Sequence, residues 1–286
     1  MDSVHANFND RLREIESYIE LLMAVDEGIK LGQPSEPSLH TGSYKYKITP
    51  IQQKVMYAGV YLHLYNLIES TVLHLISAIE QEAERNHDGD LSKFNEKIRN
   101  LWIKGVVLGV QKKRKHDNTS DAKDDKQEKN DDSDPDARVK RGIELYGKID
   151  GLLPFEMNVP KTGGGNWDNE NILKLSDTIG VDLDVEPSVY KLVRRPIQDD
   201  LGPLRLIRSI RNKLAHGEIS FAECAGERPV EHFIELFNVV SKYLSEIIRC
   251  YGKYIEDKKM LSEKKNEVGP LHIQYVPVNT FTYNLP

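Results

Sequence analysis

Three side chains near the end of a predicted helix have the chemistry to act together on a phosphate group: Arg211, Asn212 and His216. A guanidinium fork suits phosphate oxygens and the charge that gathers on them during reaction. An imidazole titrates near neutral pH and can therefore move a proton. Asn212 and His216 are four residues apart and share a helix face, whereas Arg211 lies about 140° around the axis from His216 on ideal geometry. Arg211 and His216 can still converge if the last turn unwinds at Gly217.

Each of these side chains also has an ordinary structural use when it is taken alone. A histidine at a helix end commonly bonds to the last carbonyl groups, and an isolated arginine is commonly a surface or salt-bridge residue. The combination Arg-Asn-x-x-x-His-Gly at the end of an apolar-striped helix favours a functional site over these uses.

Two further charged residues, Arg208 and Glu69, are candidates to support this site. Arg208 lies one helical turn before Arg211, where it either adds a phosphate contact or is a plain surface charge. Glu69 falls within a long apolar helix, and a carboxylate there is costly unless it is paired with a cation or with hydrogen-bond donors. We expect either an ion pair between Glu69 and Arg211, which would fix the guanidinium, or a solvated position for Glu69 at the helix edge.

Apolar residues recur at helical spacing along much of the chain, which predicts an all-α fold. The first stripe covers 8–22 and stops near Gly28, before a loop rich in glycine and proline. A long second helix begins at Thr49-Pro50, a capping residue followed by a first-turn proline, and continues to about Glu84. Its apolar positions surround the axis, so we expect this helix at the centre of a bundle.

Three more helices are predicted in the second half of the chain. They cover 169–180, about 198–216 and 229–259, and the first is capped by Asp168 or Asn169.

Weaker helical patterns cover 91–110 and 138–151. The triple glycine at 163–165 lacks the Lys-Ser/Thr and the preceding strand of a phosphate-binding P-loop, so we interpret it as a turn into the next helix.

The composition is typical of a globular cytoplasmic protein. No run approaches the roughly 18 consecutive apolar residues of a membrane span, and the first residues do not have the pattern of a signal peptide. The two cysteines, Cys224 and Cys250, supply neither a disulfide framework nor a zinc ligand set. We therefore expect a cytoplasmic protein without a membrane partner.

The net charge of −6 is concentrated in one acidic segment. Between Asp117 and Asp136 there are nine Asp and Glu against three Lys, so the rest of the chain is neutral overall. Such a segment cannot bury enough apolar surface to offset the entropy of ordering it. We predict a charged, largely disordered insertion at 111–140 within a single helical domain of residues 1–266, followed by a short extended tail at 267–286.

The motif that begins at Arg211 and ends at His216 resembles the Arg-Asn-x-x-x-His motif of HEPN ribonucleases. Gly165-Asn166, followed by a helix that ends at Gly180, is similar to the matching segment of the MAE-type HEPN branch. The opening helix and the long second helix also fit that branch. The charged insertion is a departure from the family pattern.

The resemblance implies a HEPN-type helical bundle that dimerises and acts as a metal-independent endoribonuclease of an antiphage or toxin–antitoxin system. An RNA 2′-hydroxyl would attack the adjacent phosphate and leave a 2′,3′-cyclic phosphate and a 5′-hydroxyl. In this scheme His216 moves the proton, Arg211 holds the phosphate, and Asn212 orients the phosphate or the imidazole. The implied partners are RNA, a second copy of the chain and an antitoxin or other defence protein, with no cofactor.

A second interpretation is a non-catalytic HEPN module that binds RNA, a nucleotide or a partner protein in a defence complex. The fold alone does not separate these functions. The presence of both Arg211 and His216 favours the ribonuclease, since a binding scaffold does not need the histidine. A metal-dependent nuclease is disfavoured, because the carboxylates that would bind Mg²⁺ are concentrated in the acidic segment rather than at paired helical positions.

Overall fold

The computed structural model describes residues 1–30, 38–88, 90–104, 166–226 and 228–262, together with positions 139, 142, 143, 146 and 147. Within these residues the secondary structure is almost entirely helical, which confirms the all-α prediction. The acidic segment at 117–136 and the tail at 267–286 lie outside the described residues. The few positions described between 139 and 147 are helical, in agreement with the weak pattern there.

The described helices are α1 (Asp2–Lys30), α2 (Pro50–Asn86), α3 (at 96–104), α4 (Asn169–Ile179), α5 (Pro187–Arg194), α6 (Pro203–Ala215), α7 (Phe221–Ala225) and α8 (Val230–Glu256). An antiparallel hairpin of β1 (Ser38–Thr41) and β2 (Tyr44–Lys47) precedes α2. A 3₁₀ turn at Leu91–Lys93 precedes α3. None of the described helices combines the length and apolarity that a bilayer crossing requires.

The start of α2 is fixed by a reciprocal cap between Thr49 and Gln52. The Thr49 hydroxyl accepts the Gln52 backbone N–H at 3.3 Å, and the Gln52 side-chain oxygen accepts the Thr49 N–H at 2.8 Å. Two backbone donors that the first turn leaves open are thereby satisfied. The predicted start of this helix is confirmed.

Helix α2 is the centre of the bundle, as its apolar pattern predicts. It packs against α1, α6, α7 and α8, and its buried side chains point in several directions around the axis. Fully burying a Leu or Ile side chain is worth about 1.5–3 kcal/mol, so this helix carries a large share of the apolar burial. Its buried aliphatic residues include Val60, Leu64, Leu67, Ile68, Val72, Leu75 and Ile79.

The structure corrects two predictions of local structure. Residues 38–47, placed in a loop, form a hairpin whose turn contains Gly42 at φ +59°. Helix α6 begins at Pro203 rather than near Gln198, because Gln198 and Leu201 close a tight turn in which Leu201 N–H donates to the Gln198 carbonyl at 2.7 Å.

Two short helices, α5 and α7, were not predicted. Helix α5 has eight residues and α7 has five, too few for an apolar stripe to repeat along the sequence. Each helix nevertheless begins at a recognisable residue. Pro187 occupies the first turn of α5, and Ser220 forms a reciprocal cap with Glu223 at α7.

Candidate functional site

Helix α6 carries the candidate motif and ends in a tight glycine-dependent cap. The Glu218 N–H donates to the Lys213 carbonyl at 2.9 Å, and the Gly217 N–H donates to the Leu214 carbonyl at 3.2 Å. Gly217 has φ +70°, a backbone conformation that residues with a Cβ rarely adopt. This cap fixes the direction in which the chain leaves the helix. His216 is the residue immediately before Gly217.

His216 is exposed at this end of α6. Its backbone N–H donates to the Asn212 carbonyl at 2.9 Å. No hydrogen bond or ion pair engages its side chain among the residues that the structure describes. The imidazole is therefore accessible to a ligand from solvent.

Arg211 is held by an aromatic ring and by its neighbour in sequence. Its guanidinium carbon lies 4.7 Å from the centre of the Tyr65 ring of α2. Its Nη1 donates to the Asn212 side-chain oxygen at 3.0 Å. A cation over the face of a buried ring loses little freedom when it binds an anion, because its orientation is already restricted.

The Tyr65 ring is buried, and this burial raises the pKa of its hydroxyl. The hydroxyl oxygen accepts the Trp167 backbone N–H at 3.4 Å, an interaction that lowers the same pKa. Tyr65 thus remains a neutral phenol that contacts both Arg211 and the segment that precedes α4.

Asn212 connects Arg211 to that same segment. Its side-chain N–H donates to the Asn166 side-chain oxygen at 2.9 Å, while its own oxygen accepts from Arg211. Asn166 is in turn fixed through its backbone carbonyl, which accepts from the Asn171 side chain at 2.6 Å. The contacts form a chain from α4 through Asn166 and Asn212 to the Arg211 guanidinium.

Arg208 forms an ion pair with Asp168, with 2.5 Å between Arg208 Nη1 and Asp168 Oδ2. The Asp168 side chain is only 1% exposed and also caps α4 by accepting the Asn171 backbone N–H at 2.9 Å. A buried carboxylate requires such partners, because its desolvation is costly. Arg208 therefore forms a structural ion pair. Neither of its two predicted roles, a phosphate contact or a plain surface charge, included this partner.

An open cleft of about 590 Å³ lies beside this chain of contacts. Its lining is rich in amide and cationic side chains and comprises Asn166, Asn171, Arg208, Ser209, Asn212, Lys213 and Glu218. The described lining includes two of the predicted site residues, Arg208 and Asn212. It does not include Arg211 or His216.

The expected ion pair between Glu69 and Arg211 is not formed. Among the described side chains, Arg211 is directed to the Tyr65 ring and to Asn212, and no Glu69 oxygen lies within 4.0 Å of it. Glu69 is half-buried one turn after Tyr65, where its charge raises the Tyr65 pKa. The ion pair is absent because the guanidinium already contacts the Tyr65 ring and the Asn212 side-chain amide.

Tyr65 and Asp168 are site residues that the sequence reasoning did not assign to this role. Tyr65 precedes Glu69 by one helical turn, so the two residues share a face of α2, and it is the earlier one that contacts Arg211. Asp168 was predicted as a helix cap, and its second contact, to Arg208, depends on where the start of α4 lies relative to α6.

Within the described part of the chain, no group of three or more His, Cys, Asp or Glu side chains is placed to hold a metal ion.

The fold and the site together define a helical bundle of the HEPN class, with its Arg-Asn-x-x-x-His motif at the end of α6. A family model described as MAE-like HEPN matches residues 2–260, which is most of the chain. The chain therefore belongs to the MAE-like HEPN family. No curated protein and no solved structure matches it.

Proposed function

We propose that this protein is a metal-independent endoribonuclease, a HEPN toxin of an antiphage or toxin–antitoxin system. HEPN modules are often ribonucleases, and this chain carries both the arginine and the histidine that such chemistry needs. The observation that carries the proposal is a contrast within the motif: the Arg211 guanidinium is held in place, whereas the His216 imidazole is exposed and accessible.

In the proposed reaction, the 2′-hydroxyl oxygen of RNA forms a bond to the adjacent phosphorus, and the bond from phosphorus to the 5′-oxygen breaks. The His216 imidazole accepts the proton of the 2′-hydroxyl, and a proton returns to the 5′-oxygen as it leaves. Arg211 donates hydrogen bonds to the non-bridging phosphate oxygens and neutralises the charge that develops on them. Asn212 positions Arg211.

A two-chain site is part of the proposal. Arg211 and His216 are five residues apart and leave the helix in directions about 140° apart on ideal geometry. In the described residues of one chain, no contact joins their side chains. A second copy related by a two-fold axis would bring its His216 towards Arg211 of the first chain.

The second candidate is a binding module without catalysis. It is favoured by one observation, the amide- and cation-lined cleft, whose described lining does not include His216. Such a cleft suits RNA, a nucleotide or a partner protein of a defence complex without any proton transfer. The two candidates differ in one outcome, since only the ribonuclease requires the imidazole.

The deciding experiment compares wild type with His216→Ala on total RNA in EDTA. We expect fragments with 2′,3′-cyclic phosphate ends from wild type only, because the imidazole moves the proton and no metal is used. The control is His5→Ala, which removes an exposed histidine of α1 far along the sequence from the motif. Cleavage by His216→Ala, or a requirement for added Mg²⁺, would contradict the mechanism.

If purified wild type does not cleave, growth on expression separates a toxin from a binding module. Growth arrest by wild type but not by His216→Ala would support the toxin. No arrest by either protein would support the binding module.

A further inference from the structure

A second cationic surface lies on α5, outside the cleft of α6. Lys191, Arg194 and Arg195 line a shallow groove of about 830 Å³ together with Tyr190, and the described lining contains no carboxylate. All three cations are exposed. The groove is therefore a concentration of positive charge that the proposed catalytic residues do not use.

Two of these three cations have no carboxylate partner among the described residues. Arg195 Nη2 lies 2.9 Å from Glu235 Oε1 in a solvent-exposed ion pair. Neither Lys191 nor Arg194 has a described carboxylate oxygen within 4.0 Å. Their charge remains available to an anion from solution.

Arg194 is oriented by Tyr190, with its guanidinium carbon 5.1 Å from the ring centre. The guanidinium carries five N–H donors, no described carboxylate engages them, and such donors bind phosphate oxygens. The geometry is the same kind that holds Arg211 over Tyr65 in the candidate site.

The α5 surface continues into the start of α6. A Cβ on Gly202, the residue that precedes α6, would lie 2.5 Å from the Val193 carbonyl oxygen, so the end of α5 contacts the beginning of α6. From 187 to 217 the chain has seven Lys and Arg against two Asp, although the whole protein has a net charge of −6. The segment from α5 to the motif is therefore net positive in sequence, and two of its cations, Arg205 and Arg208, are paired with Glu170 and Asp168.

We propose that α5 is an auxiliary phosphate-binding surface for single-stranded RNA, with Lys191 and Arg194 as its main contacts. The proposal rests on the proposed function, since it takes RNA as the substrate of the α6 site. A positive groove with an aromatic ring is the usual means of following a single-stranded backbone without reading its sequence. RNA bound at the motif then continues over α5, which holds phosphates outside the cleft.

The test is a binding measurement on Lys191→Gln/Arg194→Gln in a His216→Ala background, where RNA is not cut. A fluorescent oligouridylate of about twenty nucleotides, longer than one such surface, is titrated over a salt series. Each lost phosphate contact reduces the slope of log affinity against log salt by about 0.7 for single strands, so we expect a reduction of about 1.4. At low salt we expect roughly tenfold weaker binding.

The matched control is Lys45→Gln/Lys253→Gln, which removes the same charge from two exposed positions in β2 and late α8. An unchanged slope in the α5 variant, or an equal reduction in the control, would overturn the proposal. Circular dichroism checks that both proteins retain their helices.

A cleavage assay on Lys191→Gln/Arg194→Gln with His216 intact separates this proposal from the proposed function. A dinucleotide carries a single phosphate and cannot occupy the motif and α5 at once, so the α5 variant should lose more kcat/KM on the long RNA than on the dinucleotide. Equal losses on both substrates would overturn the α5 proposal alone. If wild type cuts neither substrate and its expression does not arrest growth, the proposed function fails, while the salt slope still decides whether α5 binds RNA.

Discussion

At the scale of single residues, the site depends on contacts that hold two arginines in different ways. Arg211 lies over the Tyr65 ring and donates to Asn212, whereas Arg208 is paired with the buried carboxylate of Asp168. The first arrangement leaves a guanidinium ready to bind an anion. The second stabilises the junction between α4 and α6, so the two arginines should respond to mutation in different assays.

We predict that Tyr65→Leu lowers kcat/KM for RNA by about 5- to 30-fold, because a desolvated cation–π contact is worth about 1–2 kcal/mol and it positions Arg211. Tyr65→Phe keeps the ring face and should retain most of the activity. The measurement is steady-state cleavage of a fluorogenic RNA, with melting temperatures to check folding. Equal activity of Tyr65→Leu and wild type would exclude Tyr65 as a positioning residue.

We predict that Arg208→Ala destabilises the protein by about 3–5 kcal/mol, because it leaves a buried carboxylate without its cation. Arg205→Ala is the matched control, since Arg205 lies one turn earlier on α6 and pairs with Glu170 at 3.3 Å in an exposed ion pair. The Arg205→Ala substitution should lower the free energy of unfolding by less than about 1 kcal/mol. Urea unfolding measures both values, and similar costs would mean that the Asp168 carboxylate finds another partner.

At the scale of elements, the end of α6 decides where His216 is presented. Gly217 at φ +70° allows the Glu218 and Gly217 N–H groups to bond back to the last turn. A Cβ at Gly217 meets no atom within 4 Å, so the cost of adding one is backbone strain alone. The cap therefore links a local backbone preference to the position of the imidazole.

We predict that Gly217→Ala costs about 1–2 kcal/mol and reduces cleavage more than any loss of fold accounts for, because the strained cap displaces His216. Gly42→Ala is the control, since Gly42 at φ +59° in the hairpin turn is equally open to a Cβ and is remote in sequence from the motif. It should cost a similar amount of stability and leave cleavage intact. Comparable activities of the two variants would show that the cap does not position the imidazole.

At the scale of the whole molecule, the central position of α2 brings the site together. Helix α2 supplies Tyr65 from its buried middle, and α6 packs against α2. The segment just before α4 completes the arrangement, since Trp167 contacts Tyr65 and Asn166 contacts Asn212. Each chain carries a single copy of the motif, at the end of its α6. A complete proposed site combines this arrangement with a second copy.

We predict that Arg211→Ala and His216→Ala proteins, each inactive alone, recover activity when they are refolded together. In a two-fold dimer that takes Arg211 from one chain and His216 from the other, half of the dimers are mixed and each has one intact site. The mixture should therefore show about a quarter of the wild-type activity per chain. No recovery, with mixed dimers verified by tagged purification, would place both residues in one chain or make the site depend on all four.

The sequence determined the helices that have long apolar stripes or strong caps. Thr49, Pro50 and Asp168 sit where capping and first-turn preferences place them, because those preferences depend only on nearby backbone groups. The all-α bundle, the central α2 and the motif at the end of α6 follow from such local signals. Helices α5 and α7 and the hairpin were missed because they are too short for a repeating pattern.

Only the tertiary structure decided which side chains meet. Whether Arg211 faces Glu69 or Tyr65 depends on how α2 rotates against α6, and one helical turn of difference changes the partner from a carboxylate to an aromatic ring. The Arg208–Asp168 pair and the Asn166–Asn212 contact likewise join residues 40 and 46 positions apart in sequence. Sequence periodicity gives the buried face of each helix, whereas the partners across an interface depend on how the helices pack together.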